Sequence, residues 1–175
     1  MPYLYYIDGY NVIHHCPELQ ALAQADYEAA RNRLLELAVQ FRGATGARMS
    51  IVFDGRGDRP QTDASSAATA GVEILYSPGH QSADTVIERA VYAAEDRRRI
   101  VVVSGDRGLR ELCRALGTLV MAPGHFLTEV QAAERELRTT AERLGQPGQA
   151  IGLMEDRLDA EALRRLLRLR KKLDE

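Results

Sequence analysis

The sequence has no tryptophan, only two cysteines and no long apolar run. Two thiols, Cys16 and Cys113, are too few for a disulfide framework. No stretch approaches the ~20 apolar residues needed to span a bilayer, so no membrane association is expected. Asp8 interrupts the only N-terminal apolar run, which argues against a signal peptide and makes the cytoplasm the expected compartment. A charge excess is missing too. The chain carries 23 Lys and Arg against 25 Asp and Glu, a formal net charge of −2. No overall basic field announces a nucleic-acid partner, although clustered basic residues could still serve one. Histidine is scarce as well. His14 and His15 are adjacent, but adjacent residues on a helix point about 100° apart, and no third ligand stands at a zinc spacing. What remains is ordinary for a soluble globular protein: 175 residues, 45% hydrophobic and 27% charged. That suffices for one compact domain with a sizeable core and an appendage.

The pattern that organises the chain is an apolar run closed by an acid and a glycine. Tyr3-Leu-Tyr-Tyr-Ile runs without a break into Asp8 and Gly9, and reads as a buried strand central to a parallel sheet. Met49 to Asp54 repeats the grammar and is followed by Gly55. Ile100-Val-Val-Val-Ser104 repeats it again, ending in Gly105-Asp106. Val72–Tyr76 and Leu119–Met121 read as shorter strands. Helical periodicity runs from Asp26, a plausible N-cap, to Arg42, with Gly43 and Gly46 ending it. A second helix is predicted over Gln81–Arg98 with Ser82 as its cap. A third follows Asp106 through Leu116, and a fourth covers about Thr128–Leu144. Val12–Gln24 reads as a loop or a short helix. Arg56–Gly71 is polar, without a period, and reads as a mobile surface loop carrying Arg56 and Arg59. Gly145-Gln-Pro-Gly148 is a linker signal. The expected organisation is a domain over 1–144, a linker over 145–152 and an amphipathic C-terminal helix over 153–175, striped with leucine and rich in arginine and lysine.

Strands alternating with helices give a doubly wound α/β fold, with helices on both faces of a parallel sheet. In such folds ligands bind outside the carboxyl ends of the strands. Right-handed crossovers bring those ends to one edge. The sequence therefore offers Asp8, Asp54, Asp84 and Asp106 to a single rim, with Asn11 beside them. Each acid has a plain structural use: Asp8 and Asn11 can cap a helix, and Asp84 in a first turn complements the helix dipole. Together they crowd like charges into one crevice unless a cation compensates. Oxygen donors without cysteine or histidine favour Mg²⁺ or Mn²⁺, which can drive in-line displacement at a phosphodiester.

Asp8-Gly-Tyr-Asn11, Val52-Phe53-Asp54, Ser82-Ala83-Asp84 and Ser104-Gly105-Asp106-Arg107 together resemble the NYN domain. This is a branch of the PIN-like, flap-nuclease-like ribonucleases, and the likeness is to its bacterial YacP-type members, over roughly Pro2 to Thr140. The resemblance implies a sheet with the first strand in the middle, flanked by the second and fourth. It implies that Asp8, Asp84 and Asp106 hold a divalent metal, that Asn11 belongs to the site, and that Asp54 matches a recurrent acid. Arg107 and Gly108 stand where many PIN nucleases carry a further acid, which puts a second metal position in doubt. The activity implied is metal-dependent endoribonucleolytic cleavage, of messenger RNA and in association with the ribosome. Arg56, Arg59 and Arg107 are candidates to contact the RNA backbone. Tyr10 is a candidate to stack on an unpaired base, or else a core residue. A non-catalytic RNA- or ribosome-binding module and a flap-type DNA nuclease are the alternatives. No oligomeric state follows from the sequence.

Overall fold

A computed structural model of the chain describes residues 2–55, 57, 61–62 and 71–144. The chain divides into two units, Met1–Glu134 and Arg135–Glu175. In order, the described elements are β1 Leu4–Asp8, α1 Gly9–His15, α2 Pro17–Ala25, α3 Tyr27–Thr45, β2 Arg48–Phe53, β3 Gln61–Thr62, β4 Val72–Tyr76, α4 Ala83–Ala93, β5 Ile100–Val103, α5 Arg107–Ala115, β6 Leu119–Met121 and α6 Pro123–Leu144. Arg56 and Arg59, the linker at 145–152 and the leucine-striped segment at 153–175 lie outside the described residues.

The strands form one sheet in the order β3-β4-β2-β1-β5-β6. All neighbours are parallel except β3, which pairs antiparallel with β4. β1 is central, flanked by β2 and by β5, as the resemblance implied. Side chains alternate along a strand, and that parity sorts the core into two layers. Ile7, Met49, Ile51, Phe53, Val101 and Val103 face the layer containing residues of α1, α2, α3 and α6. Val52, Ile100 and Val102 face the other layer with Ile87 and Val91 of α4 and Leu109 and Cys113 of α5. Tyr6 packs on this second layer. Asp8, two residues on, therefore points to the α4–α5 side, as do Asp54 beyond Val52 and Ser104 beyond Val102.

The structure departs from the sequence reading in five places. Val12–Gln24, read as a loop or one short helix, falls in two helices, α1 and α2. Pro17 looks like a break, but it sits at the start of α2, where its missing N–H would be unpaired in any case. Gly43 lies inside α3, and Gly46 alone ends it, in the left-handed conformation at φ 69°. Helix α4 stops at Ala93 rather than Arg98, and the Arg97 guanidinium donates to the terminal carbonyls of Val91 (3.2 Å) and Tyr92 (2.6 Å). Helix α6 starts at Pro123, five residues before Thr128. Thr128 is not its cap, since its hydroxyl donates to the Gly124 carbonyl one turn back. Within the expected loop after β2, the two-residue β3 pairs Gln61 with Tyr76 and Thr62 with Leu75.

Candidate functional site

Asp8 ends β1 and caps α1 at once. Its Oδ1 accepts the backbone N–H of Asn11 at 3.1 Å. Its Oδ2 accepts the Ser104 hydroxyl at 3.3 Å. The residue is 6% exposed, which takes away most of the water around its carboxyl. It also lines a cleft with the carboxyl of Asp84, in the first turn of α4, which bears on its charge. Burial, above all, raises its pKa from an ordinary 3.8 to about 7, and the Asp84 charge adds to the rise. The bonds from Asn11 and Ser104 pull the other way. Asp84 is raised in turn, chiefly by burial and then by the charges of Asp106 and Asp54. Carboxyls that raise one another in this way hold a proton where a cation could stand.

Asp54 has a fixed job in placing that pair. Its Oδ1 accepts the backbone N–H of Ala83 at 2.7 Å, so the end of β2 holds the start of the helix that carries Asp84. Ser82 caps the same helix through Thr85 N–H. Ser77 braces the arrangement, accepting from Gly55 N–H at 3.2 Å and donating to the Gln81 carbonyl at 2.8 Å. On the other side, Asp106 caps α5 by accepting Leu109 N–H at 2.7 Å. Ser104 is fully buried and accepts Asp106 N–H at 3.0 Å while donating to Asp8. Asn11 closes the turn: its Oδ1 accepts the Gly105 N–H. A Cβ at Gly105 would lie 2.7 Å from that oxygen and 2.8 Å from His15 Nε2, so only glycine permits this approach.

The result is a cleft of about 380 Å³ lined by Asp8, Tyr10, Asn11, His14, Asp54, Ser82, Ala83 and Asp84. The structure thus brings Asp8, Asp54, Asp84 and Asn11 into one cleft. Asp106 does not line it, but its charge is felt at Asp84. Among the described residues, no three His, Cys, Asp or Glu side chains stand gathered as a coordinating group. The donors still fit a small hard cation. Mg²⁺ commonly takes one or two protein carboxylates and completes its shell with water and substrate phosphate. Asp54 and Asp106 each have one oxygen committed to capping a helix, which leaves the other for such a role.

The remaining candidates sort differently. Tyr10 packs edge-on against Phe53 and tilted against Tyr27, both at 5.3 Å between ring centres, and lines the cleft with the rest of its surface. Tyr10 is thus part of the aromatic packing and also part of the cleft wall. Arg107 opens α5 beside Asp106, its side chain 85% exposed and its Nε 2.8 Å from Glu111. His14 lines the cleft, whereas His15 bonds the Asn11 carbonyl through Nδ1 at 2.8 Å, so the two do not converge. Sequence reasoning missed Ser104 as the link between Asp8 and Asp106, although its place in Ser-Gly-Asp and its strand parity marked it. It also missed Tyr27, whose buried hydroxyl has no hydrogen-bond partner among the described residues. Burial first, then Tyr10 and the charges of Asp8 and Asp54, push its pKa up to about 12.

An acidic cleft at the carboxyl edge of a parallel sheet with β1 in the middle is the arrangement that the motifs implied. The model of the YacP-like NYN domain matches residues 5–171. The chain belongs to the YacP-like NYN domain family. Its fold is the PIN-like nuclease fold. A relative in Bacillus subtilis (strain 168), described as uncharacterized protein YacP, is 27% identical over 157 residues, which is 86% of this chain and 89% of its own. Among solved structures, Rae1 (YacP) from Bacillus subtilis matches with a TM-score of 0.66 at 27% identity, over 99% of this chain and 98% of its own. A tryptophan-to-leucine mutant of the same protein matches with a TM-score of 0.67 at 24% identity, over 88% and 91%. Among the described residues, no helix is long and apolar enough to cross a membrane.

Proposed function

We propose that this YacP-like NYN domain is a metal-dependent endoribonuclease that hydrolyses RNA phosphodiester bonds, with messenger RNA on the ribosome as the expected substrate. The observation that carries the reading is that Asp8, Asp84 and Asp54 line one cleft, with the Asp106 charge felt at its side. Nothing in core packing calls for a buried acid and a half-buried one at the same cleft, and acids set together raise their own proton affinity for want of a countercharge.

The cofactor proposed is Mg²⁺ or Mn²⁺, held by Asp8 and Asp84 with Asp106 and Asp54 in support. When bound, such an ion supplies Lewis acidity toward a phosphate oxygen and lowers the pKa of a water. The chain's own residues supply placement. Asp54 fixes the start of α4 and therefore the position of Asp84. Gly105 N–H holds the amide oxygen of Asn11, which leaves the amide NH₂ as the donor end for a phosphate oxygen or a water. Ser104 keeps Asp8 oriented and ties it to the Asp106 turn. Tyr10 offers a ring face for an unpaired base, and Arg107 offers charge to the backbone.

The test incubates the purified chain with Mn²⁺ on single-stranded RNA and on flap DNA, with and without ribosomes. Endonucleolytic cuts in RNA, enhanced by ribosomes, are expected. Cutting confined to the DNA flap would replace this reading with a flap-type nuclease, and RNA binding without cutting would replace it with a binding module.

A further inference from the structure

The cleft is acidic, and a phosphate chain approaching it is repelled unless cations stand beside it. Helix α5 supplies them. It leaves the rim directly after Asp106 and carries Arg107, Arg110 and Arg114, against the single acid Glu111. At 3.6 residues per turn the three arginines fall within roughly 60° of one another around the helix. That sector is turned away from the buried Leu109 and Cys113. Their Cα atoms span about 10 Å along the axis. Arg107 and Arg114 are exposed and Arg110 is half-buried, its Nε bonded to the Asp106 carbonyl at 3.3 Å. The Arg107–Glu111 pair is 85% and 58% exposed, and such a pair is weak enough to exchange for a phosphate. In a chain of net charge −2, three arginines on one helical face beginning at the acidic rim are a local segregation of charge.

We infer that this face of α5 is a phosphate track that receives single-stranded RNA as it leaves the cleft. The inference rests on the endoribonuclease reading and extends it to Arg110 and Arg114. The contacts lie in one line along one helix, which suits the backbone of one strand rather than two. They touch phosphates and so position the strand without reading its bases.

The test measures binding of short fluorescent single-stranded RNAs, one oligo(U) and one oligo(A), to the full chain carrying Asp84→Asn so that the RNA stays uncut. The parent is compared with Arg110→Gln/Arg114→Gln between roughly 50 and 200 mM salt. Each phosphate contact on a single strand contributes about 0.7 to the slope of log affinity against log salt, so the double variant should lose about 1.4. The loss should be alike for both sequences. Arg110→Lys/Arg114→Lys should restore most of the slope, and Arg98→Gln, in the turn before β5 at the opposite edge of the sheet, should leave it unchanged. Melting temperatures of the Gln and Lys pairs serve to check that the helix is intact. A double Gln variant with the parent's slope would overturn the track, as would an equal loss in Arg98→Gln or an equal loss on duplex RNA. With Asp84 restored, a chain that neither binds nor cuts RNA would overturn the endoribonuclease reading itself, and the track with it.

Discussion

Replacing Asp8 by asparagine should make the metal-free protein more stable at neutral pH. In the folded chain Asp8 keeps its proton up to about pH 7, whereas an ordinary aspartate releases it near 3.8. Between those limits the folded state binds a proton that the unfolded chain has given up, so stability falls as pH rises through this window. The stabilisation is complete below about pH 4 and gone above about pH 7. At roughly 1.4 kcal/mol for each tenfold change in proton affinity, the upper bound is about 4 kcal/mol. An asparagine side chain in this place keeps an oxygen for Asn11 N–H, gives Asp84 a donor and never ionises. Urea denaturation in EDTA should therefore show parent and Asp8→Asn nearly equal at about pH 4. They should diverge to several kcal/mol by pH 8, with the variant the more stable. With a urea slope of about 2 kcal/mol/M, that is a midpoint difference of up to ~2 M. A variant that tracks the parent at every pH, or falls below it at pH 8, would refute the argument that Asp8 is a buried acid short of a countercharge.

Three further outcomes follow from the same geometry. Mg²⁺ or Mn²⁺ at 100 times its dissociation constant should stabilise the parent by about 2.7 kcal/mol, and calorimetry should find no such gain in Asp8→Asn. Gly105→Ala forces a Cβ against Asn11 and His15, so it should destabilise the fold by about 1–3 kcal/mol and slow RNA cleavage more than that loss alone explains. Ser104→Ala removes the donor to Asp8 and leaves Asp106 N–H without its acceptor, which should cost about 1–3 kcal/mol in denaturant titrations.

Much of this site is legible in the sequence, because it is written in the strands. Three apolar runs ending in an acid or in Ser-Gly-Asp name β1, β2 and β5. The two-residue alternation then sends Asp8, Asp54 and Ser104 to one face. Ser82 and Asp26 announced their helices as caps, and both do so. Short helices were less legible. α1 has seven residues and is capped by the same Asp8 that ends the strand, so no separate start signal marks it. Pro17 and Pro123 each begin a helix, and a proline read alone cannot be told from a break. The dual use of the acids was visible only in part. A cap and a functional carboxylate look the same in sequence, and the structure shows Asp8, Asp54 and Asp106 capping or anchoring helices within the acidic rim.

The central claim is that these carboxylates do chemistry beyond holding helix ends, and Asp84 is where the two uses separate. No backbone bond from its own helix needs its charge, since Ser82 already caps α4. The measurement is the rate of single-stranded RNA cleavage across a Mn²⁺ titration, for the parent and for Asp84→Asn, with melting curves in parallel. Cleavage by the parent should disappear in EDTA. Asp84→Asn should melt within a few degrees of the parent yet cut on the order of 100-fold more slowly at saturating Mn²⁺, a loss of about 3 kcal/mol in the transition state. An Asp84→Asn protein that cuts at the parent's rate would reduce Asp84 to a first-turn helix acid and contradict the account.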